Sequence, residues 1–448
     1  MKKNYFLKRM FFQKEATVTL SLIGIHQFFI ALSVYYLTLL IQNYQSKVDF
    51  KYNLMMYFFC MLFPYIPAFL SFISMQKWIN KAHFDFVKIL IKGPFFFPAQ
   101  FKNIKLKDKF DSIISRNSFG TISSYFVFIH DALSLLLNSI FSMFVIGLLL
   151  PSELVGGYLI SVLLSFIIIF LSHKKLDHAA VDSELKFINY SSLLAKGWSN
   201  LSLKNKINTN IWRSNLDKES ENYYKSTIYL QILKQSINGL LAAVALIPTA
   251  YLIYHIIFNG YEDAAVIAAI IVNLTRIFNI LSSLNSLLHL LIELPVMNAH
   301  FKVLFSFEDF LDKKINTATS GNITINGEKI YDYKDAFNMI EAASNGRFTL
   351  RGSNGSGKTT LLYYLKNLFG EKAILMPASH NFLMWGVDGK ALSTGQLAIQ
   401  TIKELYSQPE NILFLDEWDA NLDSQNKSEI NQLLDNLSTQ KIIVEVRH

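Results

Sequence analysis

Charged residues are scarce in this chain. Asp, Glu, Lys and Arg make up 17% of 448 residues, against 51% hydrophobic, and the mean hydropathy is +0.27. Such a balance is unusual for a soluble protein. Cysteine is nearly absent: the single Cys60 lies inside an apolar run, which excludes a disulfide framework within the chain. No small-residue cleavage site follows the first apolar run, and that run is too long for a signal-peptide core, so it is expected to remain as a span. Nor is there a concentrated basic footprint for nucleic acid. The net charge of +8 sits largely in loops between apolar runs, which reads as membrane topology and lipid contact, with no nucleic-acid partner.

What is present is a series of apolar runs through the first two-thirds. A helix needs about 20 apolar residues to cross a hydrocarbon core. Six spans are expected, at about 17–41, 54–75, 122–150, 154–172, 228–258 and 264–294, within a membrane domain covering 1–296. The N-terminus interleaves Lys2, Lys3, Lys8 and Arg9 with Phe6, Met10 and Phe11, as a basic amphipathic segment at a membrane surface would. Basic residues concentrate there and in two long loops, about 76–119 and 173–225. By the positive-inside rule both termini and both long loops are cytoplasmic. Apolar periodicity continues from the spans into these loops, so helices should run beyond the bilayer, for example from Lys174 to about Lys196. A polar linker is expected at 297–319, and a compact α/β domain at 320–448.

That last domain holds the chemistry. Gly352, Ser353, Asn354, Gly355, Ser356, Gly357, Lys358 and Thr359 fit G-x-x-x-x-G-K-[ST], with Thr360 next. Glycines let backbone N–H groups curl around a polyphosphate, Lys358 can reach the outer phosphates, and the Thr359 hydroxyl suits Mg²⁺. The loop lies between a strand-like run, Gly346 to Arg351, and a helical one, so the phosphate would meet a helix N-terminus. Leu392-Ser-Thr-Gly-Gln396 follows, ahead of a helical stretch from Leu397 to Ser407. An apolar strand then ends in Asp416 and Glu417; the first suits Mg²⁺ contact and the second can polarise an attacking water. Asp423 comes directly afterwards, and a final apolar strand leads to Arg447 and His448.

In this order the motifs resemble the nucleotide-binding domain of ATP-binding cassette (ABC) proteins, and six spans ahead of it resemble an exporter half-transporter. The implied fold is an α-helical six-span transmembrane bundle followed by a shortened α/β P-loop ABC ATPase domain. The resemblance implies that residues 352–359 are the Walker A loop, Asp416 the Walker B aspartate, Glu417 the catalytic glutamate, and His448 the switch histidine. Ser393, Thr394, Gly395 and Gln396 match the signature, which closes on ATP held by a second cassette, and Asp423 matches the D-loop aspartate. The implied cofactors are ATP and Mg²⁺. The implied partner is a second copy or a related half-transporter, and the location is a bacterial inner membrane. Leu-Asp-Glu-Trp418 together with the signature also resembles exporters of cyclic peptides, microcins and siderophore-type peptides. ATP-driven export of a small peptide-like cargo is therefore expected; an ATP-dependent sensor or assembly partner is the alternative.

Two departures stand out. Only about 40 residues separate Gly352 from Leu392, too few for the family's usual helical subdomain, and the Q-loop glutamine is missing. Ser379, His380 or Asn381 must substitute, or its role is lost. Tyr331 and Tyr333 are the candidates for stacking on adenine. In the spans, Lys234 and Arg276 are expected either to contact an anionic group on the cargo or to snorkel and pair within the bundle.

Overall fold

The structure is a computed structural model. It describes residues 3–92, 97–149, 152–255, 258, 286–305, 318–379, 383–386, 394–420 and 422–447. The chain divides into two units: Met1–Gly93 with Lys105–Phe310, and Pro94–Ile104 with Leu311–His448.

The first unit is helical: α1 (Lys3–Phe11), α2 (Lys14–Gln45), α3 (Lys51–Leu62), α4 (Tyr65–Lys92), α5 (Ile104–Phe110), α6 (Ser118–Leu149), α7 (Ser152–Ala195), the short α8 (Gly197–Leu201), α9 (Lys206–His255) and α10 (Ser286–Phe305). Among the described residues, five stretches are long and apolar enough to cross a membrane: Lys14–Tyr44, Lys51–Ile91, Leu106–Phe141, Lys206–Pro248 and Ser286–Phe305. The expected fourth span, 154–172, forms the first half of α7 and is not among the five. Most of the expected sixth, 264–285, lies outside the described residues, as does Arg276. At 1.5 Å per residue, the 44 residues of α7 extend about 66 Å, roughly twice a hydrocarbon core. The helix therefore does continue past its apolar half, as its periodicity predicts. Helix α9 packs along it, with Leu176, Ile237, Leu241, Leu288 and Ile292 buried together.

Two sequence expectations need correction in this unit, and the second span gains a detail: its helix breaks at Phe63-Pro64, because proline has no N–H to donate and its ring clashes with the preceding turn. The Pro64 carbonyl lies 2.9 Å from His26 Nδ1. The N-terminal segment is amphipathic only in part: Phe12 is exposed, but Phe6 and Met10 turn inward. Phe6 and Met10 are completely buried, with the Phe6 ring 6.0 Å from Phe86 and 5.3 Å from Phe305. Finally, 297–305 is not linker but the end of α10. Ala299, Phe301, Val303 and Leu304 are buried in this helix, and the Phe301 and Tyr125 rings lie 4.5 Å apart.

The second unit is built on a six-stranded sheet: β1 (Ala318–Ile325), β2 (Glu328–Asp332), β3 (Gly346–Arg351), β4 (Ala373–Met376), β5 (Ile412–Asp416) and β6 (Ile442–Val446), in the order β2-β1-β3-β6-β5-β4. Strands β3, β6, β5 and β4 are parallel, and β1 pairs antiparallel with β2 and β3. β5 and β6 are buried along their whole length, as parallel strands covered on both faces must be. One face is covered by α11 (Tyr333–Glu341) and α12 (Lys358–Phe369), the other by α13 (Thr394–Tyr406) and α14 (Ser424–Ser438).

Candidate functional site

In an open α/β sheet, ligands bind beyond the carboxyl ends of the parallel strands. Strand β3 ends at Arg351, and the glycine-rich loop follows it directly into α12. Gly355 and Gly357 have φ of +81° and +96°, backbone that a Cβ would strain. A Cβ on Gly357 would also stand 3.0 Å from Tyr333 Oη. Loop residues 352–355 are exposed, which leaves their N–H groups open to an anion. Lys358 Nζ donates to the loop's own carbonyls, Gly352 O at 2.7 Å and Ser353 O at 3.2 Å, so the ammonium sits over the loop's hollow. Thr360 is exposed on the first turn of α12.

Strand β5 brings in the carboxylates. Asp416 is 1% exposed, and its Oδ1 accepts a 2.9 Å hydrogen bond from Thr359 Oγ1. Its Oδ2 is buried and accepts no hydrogen bond. A hydroxyl beside a buried carboxylate oxygen, at the mouth of a phosphate-type loop, is a hard-oxygen set that fits Mg²⁺. Glu417 follows with φ of +51°, in the left-handed region that costs a non-glycine residue about 1–2 kcal/mol. Its N–H donates to Val446 O at 3.0 Å, which ties this turn to the end of β6. The strained conformation turns Glu417 out of the strand register, half-buried beside Asp416.

The remaining expected residues are only partly brought together. Thr394 and Gly395 open α13 and Gln396 is exposed there, while Ser393, His380, Asn381 and His448 lie outside the described residues. Asp423 is the N-cap of α14, its Oδ1 accepting from Asn426 N at 2.7 Å. Tyr333 is a core residue whose hydroxyl points at Gly357 O, whereas Tyr331 is 69% exposed on β2. Trp418 is also core: its indole N–H donates to Glu445 Oε2 at 2.9 Å. In the helical unit, Lys234 Nζ lies 2.6 Å from Glu293 Oε1. Lys234 thus has a partner within the bundle.

Three residues escaped sequence reasoning. Glu445, a lone carboxylate in an otherwise apolar strand, is held by Arg347 through two 2.9 Å hydrogen bonds. Its isolation among Ile442, Ile443, Val444 and Val446 was the available signal. Glu293 had a weaker one, as an acid in an apolar run. Lys102 Nζ stands 3.4 Å from Asp416 Oδ2; as one lysine of many in a basic loop, it carried no signal at all.

No family model matches this chain, and no curated protein does. Among solved structures it is similar to a bacterial Atm1-family ABC exporter with ATP bound, at a TM-score of 0.64 and 10% identity, covering 97% of this chain and 91% of that one. The chain has the fold of an ABC exporter subunit.

Proposed function

We propose that the chain is one subunit of an ATP-driven exporter, acting as a homodimer in a bacterial inner membrane. The observation that carries this reading is the Thr359–Asp416 hydrogen bond, with Glu417 next along the chain, at the mouth of the glycine-rich loop. The solved exporter of the same fold carries ATP, in keeping with a nucleotide at this loop. Lys358 and the loop N–H groups would hold the phosphates, and Thr359 and Asp416 would hold Mg²⁺, which neutralises charge on the phosphates when bound. Glu417 would orient and polarise the attacking water. The signature residues Ser393, Thr394, Gly395 and Gln396 would reach the nucleotide of a second subunit, and His448 would contact the γ-phosphate.

For the cargo, the helical unit offers a cavity of about 540 Å³ lined by Asp131, Ser134, Leu135, Ser286, His289 and Leu290. Asp131 pairs with His130 at 3.1 Å but is half exposed, and such a carboxylate suits a small peptide-like molecule with a free amine better than an anionic one. Lys234, paired with Glu293, is not among these lining residues. The test is Mg²⁺-dependent ATPase activity of the purified protein in lipid, wild type beside Glu417→Gln. Nucleotide binding retained with turnover abolished supports the reading; equal turnover in both sinks it.

The sensor alternative is favoured by one observation: only 17 residues lie between the end of β4 at Met376 and the start of α13 at Thr394. ATP-dependent movement of an amine-bearing peptide into sealed inverted vesicles separates the two.

A further inference from the structure

Asp416 is a buried carboxylate with one hydrogen bond. Oδ1 is taken by Thr359, while Oδ2 faces the Lys102 ammonium at 3.4 Å. The Asp416 side chain is completely buried, and that of Lys102 is 55% exposed. Lys102 belongs to Pro94–Ile104, which groups with the nucleotide domain although α4 precedes it and α5 follows it in the chain.

The segment is built for its place. Pro98 opens a single 3₁₀ turn, Pro98–Gln100, whose missing N–H needs no partner at that position. Gln100 Oε1 accepts from Phe97 N at 3.2 Å and closes the turn. The turn packs on α12, where the Phe101 ring stacks on Tyr363 at 6.2 Å with a 23° interplanar angle. The Lys102 ammonium lies 5.8 Å from the same ring. Tyr363 follows Thr359 by one helical turn, so the platform for this segment and the hydroxyl facing Asp416 share one face of α12.

A buried carboxylate is costly without a counter-charge. Lys102 supplies one here, and a divalent cation on Asp416 would supply another; an ammonium at 3.4 Å and a metal ion repel each other if both remain. Lysine is suited to exchange, since its stem is flexible and its head is readily hydrated on leaving.

We propose that Lys102 is the resident counter-ion of Asp416, displaced when a divalent cation binds, so that segment 94–104 registers occupancy of the nucleotide site. The proposal rests on reading this site as a nucleotide-hydrolase site. It assigns a residue of the first long basic loop to the nucleotide site, in a chain that lacks the usual Q-loop glutamine. Along the chain, Lys102 lies between α4 and α5.

The test uses the full chain in lipid nanodiscs with a non-hydrolysable ATP analogue and Mn²⁺ in place of Mg²⁺. Mn²⁺ affinity is read by electron paramagnetic resonance for wild type, Lys102→Met and Lys102→Arg. The Met variant keeps the stem on Tyr363 and removes the charge, so its Mn²⁺ affinity should rise about fivefold or more, while Arg should stay close to wild type. In a second readout, amine acylation of wild-type Lys102, followed by peptide mass spectrometry, should rise several-fold when Mn²⁺ and the analogue are added. Mn²⁺ affinity in the Met variant equal to or weaker than wild type overturns the proposal, and so does Lys102 acylation that fails to rise. No Mn²⁺–nucleotide uptake by the folded wild type would instead overturn the nucleotide-site reading, and the role of Lys102 with it.

Discussion

The Trp418 indole N–H donates to Glu445 Oε2 at 2.9 Å, which joins the residue after the proposed catalytic glutamate to a buried carboxylate on the neighbouring strand. Arg347 grips the same carboxylate from β3, and the Arg447 guanidinium lies over the Trp418 ring at 5.3 Å. One acid thus ties β3, β6 and the turn after β5 together.

Glu445→Gln should destabilise the second unit by about 3 kcal/mol, because it removes the buried charge that the Arg347 guanidinium faces and leaves only the exposed Asp435 as its ion-pair partner. Burial pushes the Glu445 carboxyl up, but hydrogen bonds and charge from Arg347, with Trp418 and Arg447, hold it below the ordinary carboxylate range. Its stabilisation is therefore complete above the unfolded value of 4.5 and lost as pH falls through the lower folded one. Thermal unfolding of wild type and variant should converge in acid and separate above about pH 4.5. A constant gap would contradict this.

Glu417 sits at φ +51°, so glycine there should relieve strain even as it removes the carboxylate. Glu417→Gly is expected to raise stability by up to about 1 kcal/mol and to abolish ATP turnover. Glu417→Gln, which keeps the strain, should lose turnover without the gain. Calorimetry beside ATPase assays distinguishes them.

Gly357→Ala meets two obstacles, the positive φ and the Tyr333 hydroxyl 3.0 Å away, and Gly355→Ala only the first. ATP affinity should fall more in Gly357→Ala, by roughly tenfold or more. Adding Tyr333→Phe should recover part of the loss. Equal losses at the two glycines would refute the steric argument.

The Lys234–Glu293 pair is partly buried in the helical unit. Lys234→Met alone should lower the melting temperature in lipid more than Lys234→Met combined with Glu293→Gln, since the single change strands a charge. If the single change instead abolishes transport at unchanged stability, a cargo role for Lys234 is supported.

The strand–loop–helix around Gly352–Thr359, the strand ending at Asp416 and the long helices were legible because each rests on local signals: glycine spacing, an apolar strand with a polar end, and helical periodicity. The break at Pro64 was equally local, yet an apolar window averages over it. Residues 297–305 read as linker because polar Asn298, His300 and Lys302 alternate with the residues that α10 buries. The hydrogen-bond partner of Trp418 was hidden for a different reason: Glu445 lies 27 residues away. Lys102 could not be found at all, since its meaning lies in a carboxylate remote in sequence.

The membership of Pro94–Ile104 in the second unit bears on how the chain must fold. During synthesis this segment emerges about three hundred residues before Asp416, and it must wait for α12 and β5 to be made. Until then Phe101 and Lys102 lack their partners Tyr363 and Asp416. Conversely, a fragment beginning at Leu311 would fold with Tyr363 uncovered on the side the segment packs against. The second unit is therefore not one continuous piece of chain: a part of it is supplied from the N-terminal half.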